Sequence, residues 1–437
     1  MTGHLRRWGT LPNRDPVADV ETEVEVEKAR LTQPGSTFAP FRYPAFRAIW
    51  IANLASNLGS MIQSVAAAWL MTDLTTSHRM IALVQASATI PIMLFGIFAG
   101  AIADNYDRRR VMLAAQIGML LTSALLALMS WAGLITPYLL LAFTLTVGIG
   151  TALNSPAWQA SVRQQVGLTD LPQAISLNTI SFNLARSVGP ALGGLLISLW
   201  NVSLAFAINA ASFIAMIVVL WRWRPTFPPI ERKPMLPAIA YGLKFCFNSS
   251  PLRRVLIRGC AFGFGVAGYQ ALVPAAVRDR LHGSELQFGL MLGLFGIGSI
   301  TAALFIGKVR RRFGVEAVLA AATLSFVLAQ SVLAEASSVY QALPAAFLAG
   351  GGWVLSLTSL NVAMQMRSPE AIIGRCLSIY QAATFGGMAL GSWAWGTLAD
   401  VRDLPFALHS ASIFLVVMLI VGRIVAPMPR PDEGRVS

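Results

Sequence analysis

Charge is scarce in this chain. Only 12% of its 437 residues are Asp, Glu, Lys or Arg, about half the share found in soluble globular proteins. Cysteine is scarcer still. Cys246, Cys260 and Cys376 are odd in number and show no CxxC spacing, which argues against a disulfide framework or a zinc site. His4, His78, His282 and His409 are scattered, so no metal centre is expected. A phosphate-binding P-loop is missing, which argues against ATP hydrolysis by this chain, and no cofactor is expected. No convergent nucleophile or acid–base set is visible, so the reading is not an enzyme. Acid is absent where a membrane carrier of protons or cations usually keeps it. Asp73, Asp279, Glu285, Glu335 and Asp400 all fall near the ends of apolar stretches, and none falls near a centre.

What is abundant is apolar sequence: 55% hydrophobic residues and a mean hydropathy of +0.63. A bilayer core needs about 20 apolar residues per helix. Twelve such stretches are legible, at 48–71, 80–103, 111–132, 137–158, 174–199 and 203–221, then 252–277, 288–307, 315–333, 340–364, 374–399 and 405–425. They are too long and too evenly apolar for β-barrel strands, which alternate over about ten residues. The fold expected is an all-α membrane protein with twelve transmembrane helices in two pseudo-symmetric six-helix bundles, at 41–224 and 251–426. Residues 225–250 contain Pro225, Pro228, Pro229, Pro234 and Pro237 and read as a cytoplasmic linker. Residues 1–40 are polar and lack the apolar stretch of a signal peptide. They and residues 427–437 read as disordered tails.

A net charge of +13 invites a nucleic-acid reading, but its distribution does not. The basic residues collect in alternate loops: Arg108, Arg109 and Arg110, then Arg222, Arg224, Arg232, Lys233 and Lys244, then Lys308, Arg310, Arg311 and Arg312, then Arg367 and Arg375. That is the positive-inside bias. It places both termini on the cytoplasmic side of an inner (plasma) membrane crossed many times. The partners expected are the lipid bilayer and a small-molecule cargo, with no nucleic acid; a monomer is expected.

One constant offset, just under half the chain, relates Gly100 to Gly307, Gln63 to Gln270, Asn154 to Asn361 and Gly189 to Gly396. Duplicated helix bundles of this kind build many secondary transporters. In the first stretch Asn53, Asn57, Ser60 and Ser64 share one helical face, flanked by Ser56 and Gln63. Such a face lines a wet cavity or glues two helices together. Asn154, Asn183, Gln270 and Asn361 extend the set of cavity candidates. Arg186, near the middle of the fifth stretch, is the sharpest single residue, because a mid-membrane arginine costs about 2.5–3.5 kcal/mol on insertion scales. It either contacts cargo or is satisfied by the backbone of a neighbouring helix.

The segment Gly100-Ala-Ile-Ala-Asp104 followed by Arg108, Arg109 and Arg110, echoed by Gly307 with Arg311 and Arg312, resembles the loop signature of the major facilitator superfamily. Asn105 and Asp107 depart from it, standing where a basic residue and a glycine are preferred. The resemblance implies that Gly100, Asp104, Arg108, Arg109, Gly307, Arg311 and Arg312 form a cytoplasmic gate between the halves. Gly189-Pro190-Ala-Leu-Gly193-Gly194 is similar to the helix-packing element of superfamily antiporters, with ordinary tight packing as the other reading. Three longer segments, around Asn154–Gln159, Leu177–Pro190 and Gly374–Ser392, resemble the transmembrane secretion effector family. That resemblance implies a secondary active exporter of a siderophore-like or drug-like molecule, working by alternating access on an ion gradient, with the proton expected as coupling ion. Two other readings stand beside it: a non-transporting receptor or scaffold on the same fold, and a drug/proton antiporter with cationic cargo.

Overall fold

The computed structural model describes residues 37–224, 235–369 and 372–428. Most of the two expected tails, and residues 225–234 of the linker, lie outside the described residues.

The first half contains α1 (Pro44–Leu74), α2 (His78–Asn105), α3 (Arg108–Trp131), α4 (Pro137–Ser161), α5 (Leu171–Leu199) and α6 (Val202–Arg222). After the linker come α7 (Met235–Asn248), α8 (Ser250–Ala275), α9 (Glu285–Glu335), α10 (Val339–Gln365), α11 (Ile373–Val401) and α12 (Leu404–Val425). Side-chain caps start several of them. Asp107 accepts from the amides of Arg109 and Arg110, at 2.9 and 3.4 Å. A carboxylate suits a helix N-terminus, so the departure at Asp107 from the superfamily loop pattern supplies the cap of α3. Thr136, Asn201, Ser284 and Asp403 cap α4, α6, α9 and α12 in the same way.

Two differences from the expected layout have physical reasons. The eighth and ninth apolar stretches are the two arms of α9, which leaves helical geometry at Gly314 (φ 77°, ψ 168°), a conformation that favours glycine. The carbonyl of Glu285 lies against Gly194 near the end of α5, and Glu335 lies 2.7 Å from His409 near the start of α12. Both tips are therefore at one end of the molecule, and α9 doubles back at Gly314 to make two crossings. The linker is not all loop either: α7 packs on α11 and α8 and buries Cys246 against Leu252, Val255 and Cys376. Among the described residues, nine helical segments are long and apolar enough to cross a membrane. α1 and α11 have the length, with 31 and 29 residues, but fall outside that set. Asn53, Asn57 and Gln63 in α1, and Gln381 with a run of small residues in α11, lower their hydropathy. α1 packs on α5 and α6, and α11 on α2 and α8, so each lies against protein helices on two sides, where polar side chains can act as interhelical glue.

Within the first half α1 packs on α5 and α6, α2 on α4, and α3 on α4 and α6. The second half pairs α8 with α11, and α9 with α10 and α12. The halves meet through α2 on α11 and α5 on α9. Arg108, Arg109 and Gly314 mark one end, hereafter the basic end; the other is the far end. At the far end the largest buried cluster runs across both halves, joining Trp69, Ile81 and Val84 to Phe288, Phe295 and Leu404. At the basic end the buried clusters divide by half. Ile49, Met112 and Leu220 form one, Phe46, Val162 and Leu177 a second, and Leu252, Leu360 and Ile379 a third.

Polar contacts also pin the far end. Arg278 pairs with Asp73 and donates to Thr72 Oγ1 at 2.9 Å. Asp400, at the end of α11, accepts from Ser77 Oγ at 2.6 Å and from the His78 amide at 2.5 Å.

Candidate functional site

The deepest unusual group is Arg186. It sits mid-way along α5 and is half-buried. Its guanidinium lies 5.5 Å from the ring of Phe295 on α9 and 5.6 Å from that of Trp353 on α10. Both rings are buried and belong to the opposite half. Among the described residues it has no carboxylate and no hydrogen-bond partner. Of the two readings of this residue, satisfaction by backbone carbonyls is not what the geometry shows. A cation over aromatic faces gains about 2 kcal/mol when desolvated, and its N–H groups stay free for an anion.

Glycine makes this meeting possible. A Cβ on Gly296 would lie 2.5 Å from the Cα of Ser187, so the α5 and α9 backbones touch one residue beyond Arg186 and Phe295. A Cβ on Gly350 would lie 1.8 Å from the carbonyl oxygen of Phe295, and Trp353 stands one helical turn further along α10. Behind the two rings, Tyr269 stacks on Phe295 at 6.4 Å, and Phe262 stacks on Trp353 at 6.4 Å. Phe326 meets Phe262, Tyr269 and Phe295 edge-on. The result is a buried aromatic wall in the second half, faced by one arginine from the first.

The other polar candidates divide. Gln63 Oε1 accepts from Asn209 Nδ2 at 2.7 Å, and both are buried, so Gln63 joins α1 to α6 and its amide oxygen is taken. Asn183 donates to its own helix at Thr179. Asn154 accepts from Gln116 at 3.5 Å, and Asn361 accepts from Gln365. Gln270 keeps a buried Nε2 without a partner, next to Tyr269. Asn53 is buried, Asn57 and Ser60 are half-buried, and Ser64 is exposed, so the α1 stripe runs from the interior outward. No group of three or more His, Cys, Asp or Glu side chains that could hold a metal occurs among the described residues.

Arg108 donates to the Ala160 carbonyl at 3.0 Å. Arg109 donates to the carbonyls of Leu220 and Trp221, at 2.7 and 2.8 Å. Both arginines tie α3 to the ends of helices in their own half, where basic groups suit the carbonyl-rich C-terminus. Gly100 and Asp104 fall on α2, with their side-chain surroundings outside the described residues. Arg311 and Arg312 are exposed, and Gly307 has open space around it.

The Gly189–Gly194 element serves two contacts. A Cβ on Gly189 would lie 2.5 Å from Met61 Cβ, and one on Gly193 would lie 3.2 Å from Ile62 Cα, both on α1. A Cβ on Gly194 would lie 2.5 Å from the Glu285 carbonyl and 3.0 Å from Gly289 Cα, both on α9. Pro190 is buried, and its carbonyl would lie 2.6 Å from a Cβ on Gly289. Gly189→Val should therefore cost about 1–3 kcal/mol by overpacking. Gly118→Val in α3 meets nothing within 4 Å and should leave thermal stability in detergent near wild type. Equal melting temperatures for the two variants would contradict the tight contact at Gly189.

A family model described as transmembrane secretion effector matches residues 35–435. The chain belongs to the transmembrane secretion effector family. Among curated relatives, the enterobactin exporter EntS of Citrobacter koseri is 27% identical over 410 residues, covering 89% of this chain and 95% of that protein. The protein of the same name from Escherichia coli is 28% identical over 391 residues, covering 87% and 90%. Among solved structures, the nucleoside transporter NupG superposes with a TM-score of 0.69 at 14% identity, covering 87% of this chain and 98% of that one. The POT family transporter PepTSo gives 0.71 at 14% identity, covering 87% and 97%. These likenesses show the major facilitator fold. This member of the secretion effector family is thus a multi-pass membrane transporter of small molecules and not an enzyme.

Sequence reasoning reached Arg186 and missed what faces it. Phe295 and Trp353 lie in uniformly apolar stretches, where an aromatic ring reads as lipid-facing filler. The available signal was the glycine spacing, since Gly296 and Gly350 mark where backbones approach the ring positions. Sequence reasoning also missed Arg42, whose Nη2 pairs with the buried carboxylate of Asp170 at 2.5 Å, tying the lead-in of α1 to the start of α5.

Proposed function

We propose that this transporter exports a small amphipathic molecule, anionic or catecholate-like in the manner of a siderophore or a drug-sized phenol, across a bacterial inner membrane. The observation that carries the reading is Arg186, set against Phe295 and Trp353 with no carboxylate among its partners. A cargo that brings an aromatic ring and an anionic oxygen matches both halves of such a site. Export is supported by the relatives named as exporters. The basic loops support a cytoplasmic basic end, with both termini there. The buried clusters that divide by half at that end support a state open to the cytoplasm and closed at the far end. The protein acts as a monomer whose bundles, at 41–224 and 251–426, rock about the central site across the 225–250 linker. An ion gradient drives the cycle, with the proton as the coupling ion.

The test uses purified protein in sealed vesicles with an imposed proton gradient, and enterobactin and its O-methylated analogue as probes. Gradient-dependent movement of enterobactin is expected. Binding without flux would make the protein a receptor, and preference for a cationic drug would favour an antiporter of cations. Arg186→Gln should weaken binding of the catecholate about tenfold to a hundredfold, the worth of a charge-assisted hydrogen bond. It should weaken the methylated analogue much less. Arg186→Lys keeps the charge, loses the planar fork and should fall between. Equal losses for both probes would make Arg186 a structural residue.

A further inference from the structure

A second buried cation stands apart from the candidate site. Arg258 lies about two turns into α8, and its side chain is only 9% exposed. Its Nη2 donates to Glu316 Oε2 at 2.6 Å, just past the bend of α9 at Gly314. Its Nη1 is buried and has no hydrogen-bond partner among the described residues. A buried N–H without an acceptor costs free energy, and an arginine near a membrane interface ordinarily reaches its head group toward water. Here the guanidinium is turned inward. It lines a recess of about 470 Å³, its open mouth included, between α8, α9, α10 and α12. Most of the wall is apolar, with Ile257, Leu319, Leu360, Leu415 and Leu419. Ser356 on α10 also lines it, buried and without a hydrogen-bond partner among the described residues. Phe262 is shared with the aromatic wall, where it stacks on Trp353. Ile257 is exposed, and Met418 and Leu419 are half-buried, so the recess opens where α12 packs on α8.

The charges around it are out of balance. Glu316 has both oxygens engaged, Oε2 by Arg258 and Oε1 by the Met428 amide at 2.6 Å. Arg423, in the last turn of α12, follows Gly422, on which the Arg258 side chain lies. Two guanidiniums thus share one carboxylate. We infer that the recess binds a long-chain carboxylate of the fatty-acid class, at a site separate from Arg186. The carboxylate pairs with Arg258 Nη1 in a charge-assisted hydrogen bond, and the Ser356 hydroxyl stands in the same recess as a further donor. The chain lies along the leucines toward the mouth. A chain that leaves lipid gains little from apolar walls, so the affinity comes from the charge. The chain supplies the entry, because a small hydrated anion does not cross an apolar mouth. A diacyl phospholipid carries its phosphate on glycerol between two chains, too broad to reach a nitrogen buried this deeply.

The test uses purified protein in phosphatidylcholine nanodiscs and an oleate analogue with a diazirine on its chain. After irradiation, peptide mass spectrometry should place the label on α8 and α12, around Ile257 and Leu419, and unlabelled oleate should compete. Oleyl alcohol keeps the chain and lacks the charge. It should compete about tenfold to a hundredfold less well, the worth of a charge-assisted hydrogen bond. Acetate should not compete. Arg258→Gln should weaken oleate by the same factor and leave oleyl alcohol unchanged, with Arg258→Lys between. Ala261→Phe fills the recess from α8 and keeps the Arg258–Glu316 pair, so it should abolish the label at these positions. If either variant is unstable, the wild-type competition series decides alone. Label scattered over lipid-facing residues would overturn the proposal, and so would equal competition by oleate and oleyl alcohol. Phosphatidylglycerol competing as well as oleate would overturn it too. Oleate binding lost in Arg186→Gln and kept in Arg258→Gln would put the chain in the cargo site and overturn it. No catecholate or gradient enters the experiment, so failure here leaves the transport reading standing. Loss of catecholate transport with oleate still bound at Arg258 would do the reverse.

Discussion

Gly350→Val is expected to destabilise the second half by about 3 kcal/mol or more. Its Cβ would fall 1.8 Å from the carbonyl oxygen of Phe295 and 2.9 Å from that residue's Cα. Both obstacles are backbone inside a helix, so no rotamer change relieves them. The contact is reciprocal: a Cβ on Gly298 would fall 1.9 Å from the Phe347 carbonyl. α9 and α10 therefore touch through two glycines one turn apart, and valine at either forces the helices apart along their length. The aromatic wall would separate with them, because Phe295 and Trp353 stand on these two backbones. The check is the melting midpoint in detergent, expected to fall by about 5 °C or more, together with ligand binding. Gly351→Ala is the control. Its Cβ would meet nothing nearer than 3.6 Å, so it should melt close to wild type. A Gly350→Val protein as stable as that control would show that the two helices are not in contact here.

Much of this architecture is legible in the sequence because a bilayer constrains it so tightly. Hydrocarbon leaves a chain few ways to satisfy its backbone, so long apolar stretches become helices and short basic loops mark one end. What is not legible follows from the same cause. Apolar stretches look alike whether they face lipid or protein, so Phe295 and Trp353 cannot be told from Leu304 or Leu121, which are exposed. The repeat misleads in a related way. Gln63 and Gln270 match by offset, yet Gln63 is bonded to Asn209 while Gln270 keeps an unpartnered amide nitrogen. Gly189 packs on Met61 within its own half, but Gly396 packs on Ala82 and Arg79 of the other. Duplication preserves the helix and leaves its neighbours free to diverge. The far-end cluster was hidden for a third reason. Asp400 reads as an ordinary loop acid, and only the folded chain brings it to Ser77 and the His78 amide of the other half.

Gly289→Val should fail differently from Gly350→Val. Its Cβ would fall 2.6 Å from the Pro190 carbonyl and 2.9 Å from Gly194 Cα. These atoms belong to α5, in the opposite half. The clash is therefore not within a bundle but between the two halves, which separate in the alternating-access cycle proposed above. The contacts within each half are left untouched, so the variant should reach the membrane and melt near wild type. The penalty falls only on the state in which α5 and α9 meet, and a cost of about 2 kcal/mol shifts the closed-to-open ratio by about thirtyfold. Spin labels at Tyr138→Cys and Tyr340→Cys, exposed at the far ends of opposite halves, should then report a longer distance than in the wild-type sequence, and flux should nearly vanish because the cycle loses one of its end states. Gly194→Val should behave the same way from the other side of the seam, since its Cβ would meet the Glu285 carbonyl at 2.5 Å. If either variant unfolds as Gly350→Val does, the seam is a fixed part of one core. If either keeps the short distance, α5 and α9 do not close on each other, and the two-body reading of the molecule fails with them.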